Sequence, residues 1–201
     1  MSTYNAIKYN VSFANAGGLK LIKTLTASSD STLSFVDGSS DVVLDSTYKE
    51  YLFIFNDIHS SGTDVPWTVQ FNAAGGSGFD ETITSTYFDA YHIETDSGGS
   101  PTDLRYMASG DQAQGTGYQW LANCTNGNDE NVAGYMHLFD PSNTTFVKHF
   151  ISRCSSPQQS YANDSYVAGY INTTSAIDEV SFKMTSGNID AGTIQLFGVV
   201  S

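Results

Sequence analysis

The chain has 201 residues, which is enough to bury a sizeable core within one domain. Its net charge of −13 arises from 21 acidic and 8 basic residues, so it lacks the basic stripe that nucleic-acid binding requires. Helix formers are scarce, whereas aromatics, Gly, Ser, Thr, Asn and Asp are abundant, which predicts many strands joined by polar turns. No apolar run could span a bilayer and no charged-then-apolar leader is present, so we expect neither membrane insertion nor a secretion signal.

Residues 1–18 contain spaced aromatic side chains, Tyr4, Tyr9 and Phe13, and end in an Asn-Ala-Gly-Gly break. We interpret this segment as an N-terminal arm that either packs on its own domain or reaches a neighbouring subunit. Residues 19–201 are then expected to form a single all-β domain.

Alternating and continuous apolar runs predict about ten strands after the arm. These strands cover residues 19–27, 32–36, 48–58, 66–72, 83–93, 132–140, 145–152, 165–172, 177–185 and 193–199. The run 48–58 is apolar on both faces and should lie in the middle of a sheet. Its two faces carry Tyr51, Phe53 and Phe55, and Leu52, Ile54 and Ile58. The strand spacing favours an antiparallel, jelly-roll-like β-sandwich.

The last stretch, residues 177–200, is predicted to be a closing β-hairpin. Val180, Phe182 and Met184 alternate with polar residues, and the second arm repeats this pattern. The residues between the arms tolerate positive φ or cap their own backbone, which favours a turn. We expect this hairpin to lie in the core beside the strand 48–58.

Between residues 94 and 131 the sequence shows no regular strand pattern. A long irregular segment in a compact domain is usually functional or disordered. Aromatic and amide side chains on loops commonly contact sugars or protein surfaces. The candidate partner or glycan contacts are therefore Tyr106, Tyr118 and Trp120, together with Tyr4, Tyr9 and Phe13 of the arm.

The sequence offers no convincing metal or cofactor site. The four histidines, His59, His92, His137 and His149, are too widely spaced along the chain for a short metal motif. His137 and His149 lie on adjacent predicted strands and could meet in space. Residues 126–130 offer oxygens at close spacing for Ca²⁺, but they depart from the EF-hand pattern and a solvated turn is favoured. We expect no metal and no cofactor.

Cys124 and Cys154 could form one disulfide, but free thiols are favoured in the absence of a secretory signal. Neither a nucleophile elbow nor a local Cys–His signature is present, and no sequence spacing singles out a pair of carboxylates. We therefore expect a protein that is not an enzyme.

Three segments carry a resemblance to known proteins: residues 21–27 (LIKTLTA), 46–59 (STYKEYLFIFNDIH) and above all 186–199 (SGNIDAGTIQLFGV). They resemble a family of small β-rich proteins encoded by tailed bacteriophages, notably marine and cyanobacterial ones, and the resemblance covers most of the chain from Leu19 onward. It implies a virion structural protein, often a trimer, that assembles in the host cytoplasm. It implies no catalytic residues.

The resemblance leaves two places in the virion open, capsid decoration (cement) and a tail or fibre component. Fibre proteins are usually long and contain a repetitive shaft, so a single domain without internal repeats favours decoration. Expected partners are other copies of the chain, capsid or tail proteins and, as a further candidate, a host-surface glycan. The competing function is a carbohydrate-binding module, because jelly rolls frequently bind glycans, and a glycan-cleaving enzyme comes third.

Overall fold

The computed structural model describes residues 18–95, 102–158 and 160–200, and within these ranges the chain forms thirteen β-strands and no helix. The strands are β1 (Gly18–Thr26), β2 (Leu33–Val36), β3 (Glu50–Ser60), β4 (Val65–Ala73), β5 (Ile83–Ile93), β6 (Thr102–Tyr106), β7 (Ala113–Gly115), β8 (Gln119–Cys124), β9 (Val132–Phe139), β10 (Lys148–Gln158), β11 (Tyr161–Ile171), β12 (Ile177–Met184) and β13 (Ile189–Val200). The arm residues 1–17 lie outside the described residues.

The strands form two antiparallel sheets. The large sheet has nine strands in the order β1-β13-β3-β9-β10-β11-β5-β6, with β7 also paired to β5. The small sheet has four strands in the order β2-β12-β4-β8. The prediction of an all-β antiparallel sandwich is confirmed, with thirteen strands instead of about ten.

Eight of the strands are paired as in a jelly roll. β1, β2, β3 and β4 pair in turn with β13, β12, β9 and β8, so the chain forms one long two-stranded ribbon. This ribbon rolls up because β13 also pairs with β3 and β12 also pairs with β4. The other five strands, β5–β7 and β10–β11, widen the large sheet beyond β9 and are called the extension below.

The predicted closing hairpin is wrong, although both of its arms are strands. β12 belongs to the small sheet and β13 to the large sheet, so the exposed connection between them leads from one sheet to the other. Both strands bury a row of apolar side chains, and these rows face each other instead of lying side by side. Sequence alternation identifies the buried face of a strand but not its neighbour in the sheet. The expected placement of this stretch beside residues 48–58 is confirmed by the pairing of β13 with β3.

An aromatic cluster around Phe182 joins the two sheets. The Phe182 ring stacks on Trp67 with centroids 5.5 Å apart, and it meets Phe53 and Phe55 at 5.4 Å each. Phe35 closes the cluster against Phe53 at 5.3 Å. Since three of these rings come from the small sheet and two from β3, the cluster fixes the two sheets face to face. All five side chains are at most 1% exposed.

A β-bulge in β3 corrects the predicted orientation of Ile58. Phe55 and Ile58 pair with Gly134 and Val132, so three steps along β3 match two along β9. Asp57, within this bulge, has a φ of 54°. The extra residue reverses the alternation, and therefore Ile58 is buried on the same side as Phe55.

The prediction of an irregular segment over residues 94–131 is wrong in part. Its described residues include β6, β7 and β8, and β8 is a framework strand of the small sheet that pairs with β4. These strands have only three to six residues each, which is too short for a clear period-two pattern.

Replacement of Phe182 by Ala should strongly destabilise the fold. The substitution removes one ring from contact with four others and leaves a cavity between the sheets, so we expect a loss of about 3–5 kcal/mol in the free energy of unfolding. Urea denaturation followed by tryptophan fluorescence measures this loss.

The matched control is Phe146→Ala, because Phe146 lies in the β9–β10 loop and its side chain is 68% exposed. This variant should change the free energy of unfolding by no more than about 0.5 kcal/mol. Equal effects of the two substitutions would show that Phe182 does not join the sheets as described.

Candidate functional site

The surface of the large sheet that faces away from the small sheet, called the outer face below, is unusually apolar. Within the described residues, seven of the eight large hydrophobic side chains that remain exposed belong to this surface. They are Leu19, Leu21, Phe88, Leu104, Tyr106, Tyr135 and Ile151.

Strand β10 shows how the sequence produces this surface. Its inward residues are buried, and among them Phe150 contacts Phe71 of the small sheet with ring centroids 5.5 Å apart. The outward residues alternate with them and are exposed, including Ile151 and Arg153. Because a strand places successive side chains on opposite sides, an apolar residue at the outward position must face solvent or a partner.

A row of five large side chains crosses the extension and β9 on the outer face, and is called the aromatic ridge below. Cross-strand pairing aligns Tyr135, Arg153, Tyr166, Phe88 and Tyr106 in that order. The Phe88 and Tyr166 rings stack with centroids 4.9 Å apart and planes 3° apart. The Arg153 guanidinium lies 4.9 Å from the Tyr166 centroid, in a cation–π arrangement.

Asp164 fixes the charged part of the aromatic ridge. Arg153 donates two hydrogen bonds to the Asp164 carboxylate, from Nε at 2.9 Å and Nη2 at 2.7 Å. The Tyr166 hydroxyl also donates to Asp164 at 2.9 Å. The hydrogen bonds from Arg153 hold the pKa of Asp164 below its ordinary value, and the bond to Asp164 raises the pKa of Tyr166. The three side chains are therefore preorganised in one arrangement.

Two shallow grooves border the aromatic ridge. One has a volume of about 540 Å³, and its floor consists of small outward residues. These residues are Ala90, Ala133, Ser155 and Ala162. The other groove has a volume of about 450 Å³ and is lined by Thr86, Ile151, Ala168 and Tyr170. The aromatic ridge stands between the two grooves. The outer face therefore has a distinct shape to which a partner surface can be complementary.

The candidate contacts predicted from the sequence do not form one site. Tyr106 lies on the outer face and its hydroxyl donates to Asp111. Tyr118 lies against the small sheet, where Lys183 Nζ is 4.1 Å from its ring centroid. Trp120 is half-buried and packs against the core. Within the described part of the chain, no hydrogen bond or ring contact joins these three side chains.

The remaining candidate contacts, Tyr4, Tyr9 and Phe13, lie outside the described residues. Sequence reasoning missed the other members of the aromatic ridge, because Tyr135, Arg153 and Tyr166 come from regular strands and the search was directed to loops. The alternation of each strand contained the signal: each of these residues precedes a buried residue and so points outward.

Side chains of both metal sites considered in the sequence make hydrogen bonds within the protein. In the described ranges, no three His, Cys, Asp or Glu side chains form a group that could bind a metal. In the 126–130 turn, Asn126 Oδ1 accepts a hydrogen bond from Thr63 and Glu130 accepts one from the Gly127 amide. His137 bonds to Glu50, so it too has a protein partner.

Cys124 and Cys154 are free and buried, which confirms the favoured prediction. Burial raises the pKa of Cys124 to about 11 and that of Cys154 to about 12. Both groups are therefore neutral thiols at physiological pH, and neither has the character of a nucleophile. No helix in the described ranges could cross a membrane.

Comparison of the chain with protein-family models, with curated proteins and with solved structures finds no match. The fold and the surface define a jelly-roll β-sandwich protein whose large sheet is widened into an apolar, aromatic outer face. A fold alone does not specify function, whereas an exposed apolar surface indicates contact with a partner.

Substitution of Arg153 by Gln should raise the pKa of Asp164 toward the ordinary value of about 3.9. The wild-type carboxylate is paired and titrates below that value, so the pair stabilises the fold at higher pH and this contribution is lost as the pH falls through the pKa of folded Asp164. NMR titration of the side-chain carboxyl carbons measures the shift.

Lys20→Gln is the matched control, since it removes one positive charge from an exposed position on β1. It should leave the titration of Asp164 unchanged. An Asp164 pKa that is the same in wild type and Arg153→Gln would contradict the bidentate pair.

Proposed function

We propose that the chain is a bacteriophage virion structural protein, most specifically a capsid decoration (cement) protein that stabilises the shell through protein–protein contacts. The observation that supports this function is the outer face, where large apolar and aromatic side chains remain exposed in the single chain. Monomeric proteins rarely expose wide apolar patches, and such patches commonly mark interaction surfaces.

The composition of the outer face suits a protein partner. Tyrosine and arginine are enriched among the residues that dominate interface energetics, and the aromatic ridge presents Tyr135, Arg153, Tyr166 and Tyr106 together. Arg153 and Tyr166 are already held by Asp164, so they lose little conformational freedom on binding. A rigid aromatic surface of this kind favours a stable contact with a shell.

The charge of the chain agrees with a position outside the capsid. At a net charge of −13 the protein would be repelled by packaged DNA and would not compete with the shell for it. Decoration requires a stable domain and an exposed contact surface, and the two packed sheets and the outer face could supply these. A tail or fibre component is the alternative location in the virion.

We also propose that copies of the chain associate as a homotrimer, because a closed symmetric assembly would bury part of the apolar surface. The partners are then other copies and the capsid proteins beneath them. Sedimentation of the free protein and of dissociated particles would test the trimer, which is excluded if the chain is monomeric in both.

Purified phage particles should contain the protein, and a reconstruction should place it on the outside of the head. Mass spectrometry of gradient-purified virions measures the presence of the protein. The reconstruction, with a specific antibody as a label, gives its location on the particle. Absence of the protein from purified particles would refute the virion function, and a position on the tail would refute decoration alone.

Substitution of Ile151 by Glu should abolish attachment to particles without unfolding the chain. Ile151 is 49% exposed near the centre of the outer face, so a carboxylate there would be buried unpaired in the contact. We expect the affinity for particles stripped of the protein to fall at least about tenfold. Co-sedimentation with stripped particles measures this loss.

Thr185→Glu is the matched control, because it adds the same charge at an exposed position between β12 and β13. This variant should attach like the wild type. Equal attachment of both variants would show that the outer face does not contact the shell.

A further inference from the structure

The inner face of the extension is not completely covered by the small sheet. β8 packs over β10 and β11, but at the far ends of β5 and β11 the inward residues Tyr91 and Tyr161 are only partly buried. Two adjoining hollows of about 190 and 200 Å³ lie there and share Gln158 and Tyr161. We call them the end cleft, and its lining residues are Asp64, Tyr91, Arg105, Thr125, Gln158 and Tyr161. Each hollow alone is smaller than the range of about 300–1,000 Å³ typical of small-ligand sites, so a ligand of the end cleft would span both.

Two tyrosine rings form the apolar wall of the end cleft. Tyr91 and Tyr161 meet edge to face, with centroids 5.7 Å apart. Register places both on the inner side of the sheet, since Tyr91 pairs with the buried Asn163 and Tyr161 lies two residues before it. Amphipathic rings of this kind can pack against the C–H groups of a ligand while their hydroxyls stay at the polar rim.

Arg105 is a fixed donor beside these rings. Its Nε and Nη2 donate to Asp89 at 2.7 and 2.8 Å, and its guanidinium lies 4.5 Å from the Tyr91 centroid. Asp89 is 1% exposed and also accepts a hydrogen bond from Asn163 at 2.8 Å. Among the described residues, the hydrogen bonds of Arg105 use Nε and Nη2 and leave Nη1 without a partner.

Thr125 supplies a second unused polar group. Its side chain is 3% exposed and lines the end cleft, yet Oγ1 makes no hydrogen bond in the described structure. A buried hydroxyl without a partner costs free energy, and such groups are rare in folded proteins. Asp64, on the same side of the cleft, is held in place by a hydrogen bond from Asn123.

We infer that the end cleft binds a neutral saccharide unit. The cleft combines an aromatic wall with hydrogen-bonding groups of both kinds, donors at Arg105 and Gln158 and an acceptor at Asp64, which is the chemistry that a polyhydroxylated ring requires. Asp89 neutralises Arg105, so Asp64 leaves the cleft with a net negative charge that disfavours phosphates and uronic acids. This site is separate from the outer face and does not depend on the proposed virion function.

Binding is tested with the full chain by saturation-transfer NMR against glucose, galactose, N-acetylglucosamine and their short oligomers, with glucuronate as the anionic probe. We expect a signal for at least one neutral saccharide and a weaker signal for glucuronate. Absence of binding to all the neutral saccharides would overturn the inference, and preferential binding of glucuronate would overturn the assignment of ligand charge.

Two substitutions locate the binding in the end cleft. Thr125→Val removes the hydroxyl while keeping the shape of the side chain, so it should reduce saccharide affinity about threefold to tenfold without lowering the melting temperature. Tyr161→Ala should reduce affinity at least about tenfold, because it removes one ring of the aromatic wall.

Phe146→Ala is the matched control, since it removes an exposed aromatic ring from the β9–β10 loop, outside the end cleft. It should leave saccharide affinity unchanged. Affinity that is insensitive to both Thr125→Val and Tyr161→Ala, or that falls in Phe146→Ala, would overturn the placement of the site.

Discussion

The packing of Phe182 between the two sheets is the interaction on which the rest of the structure depends. It brings together rings from β12, β4, β2 and β3, and so it determines which side of the large sheet is inside. Once that side is fixed, the outward positions of the large sheet face away from the small sheet. Among the described residues the small sheet covers only the inner side of the large sheet, so the apolar side chains at the outward positions remain exposed.

The two proposed functional surfaces both use strands added to the jelly-roll framework. The eight framework strands close the sandwich through the rolled ribbon, whereas the extension widens only the large sheet. Its outer side carries most of the aromatic ridge, and its inner side forms the end cleft where the small sheet ends. This division suits a protein whose core supplies stability while the added strands supply contacts, and Arg153 and Arg105 illustrate it because each is held rigidly by an aspartate.

Much of the fold could be predicted from the sequence, because its strands bury one face and therefore alternate. The strand 48–58 and its position beside the last strand were predicted correctly, and so was the jelly-roll-like sandwich. The errors come from features that alternation does not encode. The bulge at Asp57 reverses the orientation of Ile58, and β6 to β8 are too short to show a period. The candidate site was predicted poorly. Of the predicted contact residues that the structure describes, only Tyr106 lies on the outer face.

The sequence by itself determined the all-β class, the strand-forming segments and the identity of most core residues, because burial on one face leaves a local pattern. Only the tertiary structure decided which strands are neighbours, and so which outward residues come together. β12 and β13 are consecutive in sequence yet lie in opposite sheets, whereas Tyr135, Tyr166 and Phe88 are distant in sequence yet form one row. The physical reason is that strand pairing and sheet packing are non-local, so the position of a side chain relative to distant strands is not encoded in its own neighbourhood.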